Sequence, residues 1–255
     1  MEQLLSVLSP IQLGIAFAIA FSAGLIKGMV GFAMPMIMVS GLSMFLPPDY
    51  ALAGLILATL SSNIMQAFRQ GVREAWNSVK KFRIFLLVGF GFLVAAAQIV
   101  PHLSPQTFML VLGIPVTFFA ILQLIGMTWR IEKQTLRSEV SIGIIAGTIG
   151  GLSGVWGPPT VLYLTALNTP KAEQVRVQGV IYGLGSLALA GAHFGSGVMR
   201  TETLPISIAL IPPALLGMWL GLRIQDRIEQ KTFRRITLLV LTIAGLNLVR
   251  RGLLG

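Results

Sequence analysis

The sequence contains several apolar stretches long enough to cross a lipid bilayer as α-helices. About 20 apolar residues span a hydrocarbon core of roughly 30 Å, and the main apolar stretches here are 11–46, 51–68, 84–101, 108–129 and 237–249. The chain is 55% hydrophobic and only 11% charged, which leaves too few charges for the surface of a soluble domain. We therefore predict an all-α integral membrane protein, a polytopic helix bundle with about 8–10 helical membrane segments.

An internal repeat divides the chain into two halves. The segment 23–35, AGLIKGMVGFAMP, matches the segment 146–158, AGTIGGLSGVWGP, at a fixed offset of 123 residues. The identical positions include Ala23, Gly24, Gly28, Gly31 and Pro35 in the first copy, and Ala146, Gly147, Gly151, Gly154 and Pro158 in the second. With the boundary at the polar segment that follows residue 129, we predict a first membrane repeat over residues 1–129 and a second over residues 130–255.

Each repeat begins with an apolar stretch that glycine and proline interrupt. Proline removes a backbone donor and breaks a membrane helix; the breaking residues are Pro35 in the first repeat and Pro158 and Pro159 in the second. Broken backbone at membrane depth is tolerated only inside protein or beside a cavity. Paired interruptions of this kind are typical of a transporter's binding site. We therefore predict two broken-helix hairpins in one transport domain, and we expect Gly24, Gly147, Gly217 and Gly221 to serve close helix packing.

The distribution of lysine and arginine favours an inverted arrangement of the two repeats. If each interrupted stretch crosses the membrane once, eleven basic residues lie on the cytoplasmic side and seven lie outside. If each stretch is a hairpin that returns to its starting side, fifteen lie inside and three lie outside, with Lys27 excluded from both counts. The positive-inside rule prefers the second distribution. We therefore expect inverted repeats with both termini outside the cytoplasm, whether the hairpins are re-entrant or cross fully.

Several function classes lack support in the sequence. The net charge of +10 lies in short clusters between apolar stretches, which indicates membrane orientation rather than nucleic-acid binding. The chain has no cysteine, and its two histidines lie far apart, so we expect no metal site. The carboxylates lie near the ends of apolar segments, and there is no nucleotide-binding P-loop. We therefore expect no catalytic residue, no cofactor and no enzyme activity.

The interrupted helices offer chemistry suited to an anion. A half-helix N-terminus carries unpaired N–H groups and a partial positive charge, which bind anions. We expect two such ends to face each other and form a cradle from Gly28, Gly31, Phe32, Ala33 and Met34 in the first repeat and Ser153, Gly154, Val155, Trp156 and Gly157 in the second.

Polar side chains in the apolar segments are further candidates for substrate binding. Lys27 lies within the first hairpin, where a charge is costly, so it either faces a cavity or partner or extends to the membrane surface. Asn63 and Gln66 lie three residues apart on one helix face. Ser186 lies 123 residues after Asn63, in register with the repeat. For these three residues interhelical hydrogen bonding is the alternative role.

The segment 23–41 resembles the opening motif of the sulfite exporter TauE/SafE family, and 147–159 resembles its second copy. This resemblance covers essentially the whole chain. It implies a multi-pass protein of the prokaryotic inner membrane that exports sulfite or small organosulfonates as a secondary transporter, by alternating access at two facing hairpin tips. The implied partners are a small sulfur-containing anion and the lipid bilayer, while a coupling proton or sodium ion and a homodimer stay open. A passive anion channel, or a transporter of a non-sulfur carboxylate, is the alternative function.

The inverted arrangement makes a direct prediction about the two termini. A reporter enzyme that works only outside the cytoplasm should be active when it is fused to either end of the chain, because fifteen of the basic residues would then lie inside. The measurement is reporter activity in intact cells. Activity of a cytoplasm-dependent reporter at both termini would contradict the inverted arrangement.

Overall fold

A computed structural model describes residues 8–97, 105–126, 131, 133–153, 157–195 and 199–254, and all regular secondary structure within these residues is helical. In chain order the helices are α1 Pro10–Val30, α2 Met34–Leu42, α3 Pro48–Phe68, α4 Val72–Lys81, α5 Arg83–Ala97, α6 Pro105–Leu124, α7 Leu136–Ser153, α8 Gly157–Ala166, α9 Lys171–Gly195, α10 Leu204–Ala209, α11 Ile211–Arg227 and α12 Gln230–Leu254.

The helices belong to two compact units. The first unit comprises Met1–Gly71 and Gly179–Ile228, and the second comprises Val72–Gln178 and Glu229–Gly255. Each unit therefore contains segments from both halves of the sequence, so the compact units do not coincide with the two predicted repeats. The inverted relation between those repeats stays a prediction.

Four helical segments in the described part of the chain are long and apolar enough to span a membrane. They are Pro10–Val30, Asp49–Phe68, Leu204–Arg227 and Gln230–Leu254, and Arg83–Ala96 is a shorter apolar helix. Large apolar side chains point outward from them: Ile11 is 77% exposed and Leu216 is 60% exposed. An apolar exterior on helices of this length fits a lipid environment. The helical membrane class is therefore confirmed, while the number of crossings stays a prediction.

The sequence begins and ends α1 with clear local signals. Ser9 caps its N-terminus, because the Ser9 hydroxyl accepts the Gln12 N–H at 3.3 Å and the Gln12 side chain accepts the Ser9 N–H at 2.9 Å. Pro10 takes the first turn, where its missing N–H has no partner to lose. At the other end Gly31 adopts a left-handed φ of 90° and donates its N–H to the Lys27 carbonyl at 2.6 Å.

The first interrupted stretch consists of α1 and α2, separated by residues 31–33. Gly31 ends α1, whereas Pro35 lies in the first turn of α2, a position that proline favours. Ala33 precedes α2 with a φ of 75°, which costs an L-residue roughly 1–2 kcal/mol. Gly31, and not Pro35, therefore ends the first helix of the stretch.

The second interrupted stretch has helices at both of its ends. Helix α7 ends at Ser153, and α8 begins at Gly157 with Pro158 and Pro159 in its first turn. Residues 154–156 lie outside the described part of the chain. That each stretch forms a hairpin, either re-entrant or fully crossing, stays a prediction.

In the first unit, small residues bring α1 and α11 into close contact. A Cβ atom on Gly24 would overlap the Ala214 carbonyl, and one on Gly217 would overlap the Phe21 carbonyl. Gly221 likewise lies against the Leu25 carbonyl. The predicted role of these three glycines in close helix packing is therefore confirmed.

Close approach of two helices also occurs within the second unit. A Cβ atom on Gly147 of α7 would overlap the Gly89 carbonyl of α5, which confirms the packing role predicted for Gly147. Between α6 and α12, Gly245 lies directly against Thr117. Gly24 and Gly147, which the repeat aligns, therefore serve the same purpose in their separate units.

An ion pair also joins two helices of the second unit, because Lys81 of α4 pairs with Glu173 of α9 at 2.5 Å.

Two glycines of α1 allow a matched test of this packing. We expect Gly24→Ala to destabilise the protein by about 1–3 kcal/mol, because the new methyl group meets backbone atoms that cannot move aside. Gly14→Ala adds the same atom to the same helix where nothing lies within 4 Å, so it should stabilise by up to about 1 kcal/mol. Thermal unfolding of the purified variants in detergent measures both effects. Equal unfolding temperatures would contradict this account of the α1–α11 contact.

Candidate functional site

Lys27 lies in the interior of the first unit, with only 1% of its surface exposed. Its amine donates a hydrogen bond to the Ser62 hydroxyl at 2.8 Å and another to the Asn63 side-chain carbonyl. Both acceptors belong to α3, so these bonds join α1 to α3. Of the two alternatives open from the sequence, the structure shows a buried lysine with partners and not one that extends to the membrane surface.

The Ser62 hydroxyl connects Lys27 with the beginning of α2. Its oxygen lies 2.8 Å from the Thr59 carbonyl oxygen and 3.3 Å from the sulfur of Met34, the first residue of α2. The carbonyl is the stronger acceptor for the hydroxyl proton, and the Ser62 oxygen then accepts from Lys27. Ser62 therefore connects the lysine amine with the side chain of the first residue of α2, a helix whose N-terminus carries partial positive charge.

Asn63 links the lysine to α9. Its side-chain N–H groups donate to the Tyr182 carbonyl at 3.0 Å and to the Ser186 hydroxyl at 3.1 Å. With both donors engaged, the side-chain carbonyl of Asn63 is turned toward Lys27. The structure thus brings Asn63 and Ser186, which the repeat aligns, into direct contact.

Gln66 and Thr59 extend the polar face of α3 by one turn in each direction. The Gln66 amide donates to the Gly31 carbonyl at 3.0 Å, which fixes the end of α1. The Thr59 side chain is 7% exposed, and its hydroxyl has no hydrogen-bond partner among the described residues. Sequence reasoning missed Thr59, although its position four residues before Asn63 places both on one helix face. We call Lys27, Thr59, Ser62, Asn63, Gln66 and Ser186 the Lys27 cluster.

The predicted substrate-binding residues of the first repeat fall into two groups. In the first group, Met34, Asn63 and Ser186 contact the Lys27 amine or one of its two partners. Gln66 belongs to this group through the backbone, because it bonds the carbonyl of Gly31, whose N–H bonds the Lys27 carbonyl. Phe32 and Ala33 are buried in the connection between α1 and α2. Gly28 faces α11, because a Cβ atom there would overlap the Met218 carbonyl.

The predicted residues of the second repeat are less fully described. Gly154, Val155 and Trp156 lie outside the described residues, and so does the side chain of Ser153, which ends α7. Gly157 is the first residue of α8, in the second unit. Their predicted roles in substrate binding stay predictions.

No carboxylate contacts Lys27 in the part of the chain that the structure describes. The acidic residues of the helices packed against α1 bind other cations: Asp49 pairs with Arg200 at 2.6 Å, and Asp226 pairs with Arg69. An ammonium group buried in apolar surroundings without a counter-ion is unfavourable by several kcal/mol. The cluster is therefore electrostatically suited to an anion. The described residues contain no group of acidic or histidine side chains that could hold a metal.

Comparison with known proteins gives an independent indication of function. The family model described as Sulfite exporter TauE/SafE matches residues 16–248. A relative from Bacillus subtilis (strain 168), named "Probable membrane transporter protein YunE", is 29% identical over 129 residues, which are 48% of this chain and 46% of the relative. The matched part thus covers less than half of that relative's length. No solved structure matches the chain.

Proposed function

Because the chain belongs to the sulfite exporter TauE/SafE family of membrane transporters, we propose that it is a secondary transporter of sulfite or small organosulfonate anions. The observation that carries the proposal is the buried amine of Lys27, which has two neutral partners and no carboxylate among the described residues. The anion would bind beside this amine within the first unit, so that the two opposite charges offset each other's desolvation.

The chemistry of the Lys27 cluster supports an oxyanion as the substrate. Sulfite and sulfonates present three oxygens, each of which accepts hydrogen bonds. The ammonium of Lys27 is a charged donor, and α2, whose first residue Met34 contacts Ser62 through its side chain, begins with N–H groups that carry partial positive charge. Charge-assisted hydrogen bonds of this kind are about twice as strong as neutral ones.

The remaining features of the proposal concern how transport proceeds. We assign the protein to the prokaryotic inner membrane with both termini outside the cytoplasm, and we assign it an alternating-access cycle in the direction of export. The support is the family's description as a sulfite exporter, the distribution of basic residues and the paired helix interruptions. An inverted-repeat transporter of this kind needs no nucleotide, because the outward gradient of the anion supplies the energy for export.

Replacement of Lys27 by an isosteric apolar residue tests the anion site. We expect Lys27→Met to reduce transport of sulfite or an organosulfonate at least about tenfold, since a charged hydrogen bond contributes about 1.5–3 kcal/mol. The measurement is uptake into proteoliposomes, with sulfite, thiosulfate, taurine, sulfoacetate and acetate compared as substrates. Lys80→Met, which removes an exposed lysine of α4, is the matched control and should retain full transport.

Three outcomes of this experiment would reject parts of the proposal. Undiminished transport by a folded Lys27→Met protein would reject the site. Preference for acetate over every sulfur anion would reject the substrate class. Flux that equilibrates the anion but never accumulates it, under any imposed ion gradient, would show a passive channel.

A further inference from the structure

We propose that Lys27 is also the coupling residue of this transporter: its neutral amine binds one proton when the anion binds, and the resulting ammonium loses that proton when the anion leaves. The inference rests on the proposed anion site and assigns its coupling ion. In chemical terms the lone pair of the Lys27 nitrogen forms one N–H bond to a proton drawn from water, and no other bond changes.

The hydrogen bonds of Lys27 match the two protonation states differently. A neutral amine has two N–H groups and a lone pair, and an ammonium has three N–H groups. The described residues supply two acceptors, the Ser62 hydroxyl and the Asn63 carbonyl. The neutral amine uses both N–H groups in these two bonds. Protonation adds a third N–H and a positive charge, and an oxygen of a bound anion satisfies both.

The two acceptors are held in place by bonds of their own. Ser62 directs its proton to the Thr59 carbonyl at 2.8 Å, and the amide of Asn63 is held by Tyr182 and Ser186. Neither is a carboxylate, so neither neutralises an ammonium permanently. A lysine paired with a fixed carboxylate would stay protonated through the cycle, whereas this arrangement leaves the counter-charge to a ligand that comes and goes.

Charged groups on the neighbouring helices do not supply the missing counter-charge. Helix α2 carries no charged residue, and α3 carries Asp49, which bonds Arg200. On α11, Asp226 bonds Arg69, Arg223 stacks 3.7 Å from the centre of the Trp219 ring, and Arg227 ends the helix. Tyr50 packs against Arg200, and Tyr182 of α9 offers its backbone carbonyl to Asn63. In the part of the unit that the structure describes, the Lys27 amine bonds only Ser62 and Asn63.

Linkage then requires that proton and anion promote each other's binding. A bound anion stabilises the ammonium, and by reciprocity the added proton raises the affinity for the anion by the same factor. The effect is stronger in an apolar interior than in water, because charges interact more strongly at low dielectric constant. A monovalent sulfonate and its proton together carry no net charge. Its transport should therefore respond to a pH gradient and not to membrane voltage.

The experiment counts the protons that the purified full-length protein takes up with the anion. The probes are methanesulfonate, which stays a monovalent anion at all working pH values, and sulfite, with its own ionisation subtracted. Titration calorimetry in two buffers of different ionisation enthalpy gives the proton count. We expect uptake that approaches one proton per anion, and an affinity that falls by up to about tenfold per unit of rising pH.

Variants assign the proton to Lys27. Lys27→Arg keeps a permanent positive charge, so it should bind the anion with no proton uptake and with an affinity independent of pH. Lys27→Met should lose binding, and Lys80→Met should keep both the affinity and the proton count of the wild type. Gel filtration and thermal unfolding establish that each variant is folded. If Lys27→Arg does not fold, the folded Lys27→Met protein decides the matter, because any binding that it retains at high anion concentration should occur without proton uptake.

Anion binding by the wild type without proton uptake would overturn the inference and leave the proposed function intact. Unchanged proton uptake by Lys27→Arg would likewise overturn it, since another group would then titrate. If neither probe binds the wild type at any pH, the proposed anion site fails, and the inference fails with it.

Discussion

The hydrogen bonds between Lys27 and α3 join the elements of the candidate site. Through Ser62 they reach the start of α2, and through Asn63 they reach α9. Gln66 on the same face of α3 binds the last turn of the interrupted helix through the Gly31 carbonyl. Because unpaired polar groups are costly in an apolar interior, these bonds fix how the helices lie within the first unit. The Lys27 cluster thus holds these helices together, and it is also the place where a bound anion would offset the charge of the lysine.

The direction in which Lys27 points follows from the helix that carries it. Gly24 and Gly28 lie four residues apart, on one face of α1, and that face packs closely against α11. Successive residues of an α-helix are rotated by about 100°, so Lys27 lies at the side of this face, from which its amine reaches α3. Two small residues therefore allow the close approach of α1 and α11, while the neighbouring Lys27 joins α1 to α3.

The sequence predicted the elements of this site better than their contacts. Apolar length and the positions of glycine predicted membrane helices and an interruption after α1, because both depend on local chemistry. Whether Lys27 is buried or extends to the surface depends on partners 35 and 36 residues away, so the sequence left both alternatives open. The sequence motif does not distinguish Gly28 from Gly31, because both positions favour a residue without a Cβ atom. In the structure Gly28 faces α11, whereas Gly31 ends α1. The Tyr182 carbonyl belongs to the backbone and carries no signal in the sequence.

A structure of the protein determined with bound methanesulfonate tests the central claim most directly. The account predicts that the sulfonate lies in the first unit, with one of its oxygens about 2.8 Å from the Lys27 nitrogen, as expected for a charge-assisted hydrogen bond. It also predicts that Ser62 and Asn63 keep their bonds to the amine. A sulfonate bound elsewhere, with Lys27 in contact with Ser62 and Asn63 alone, would contradict the account.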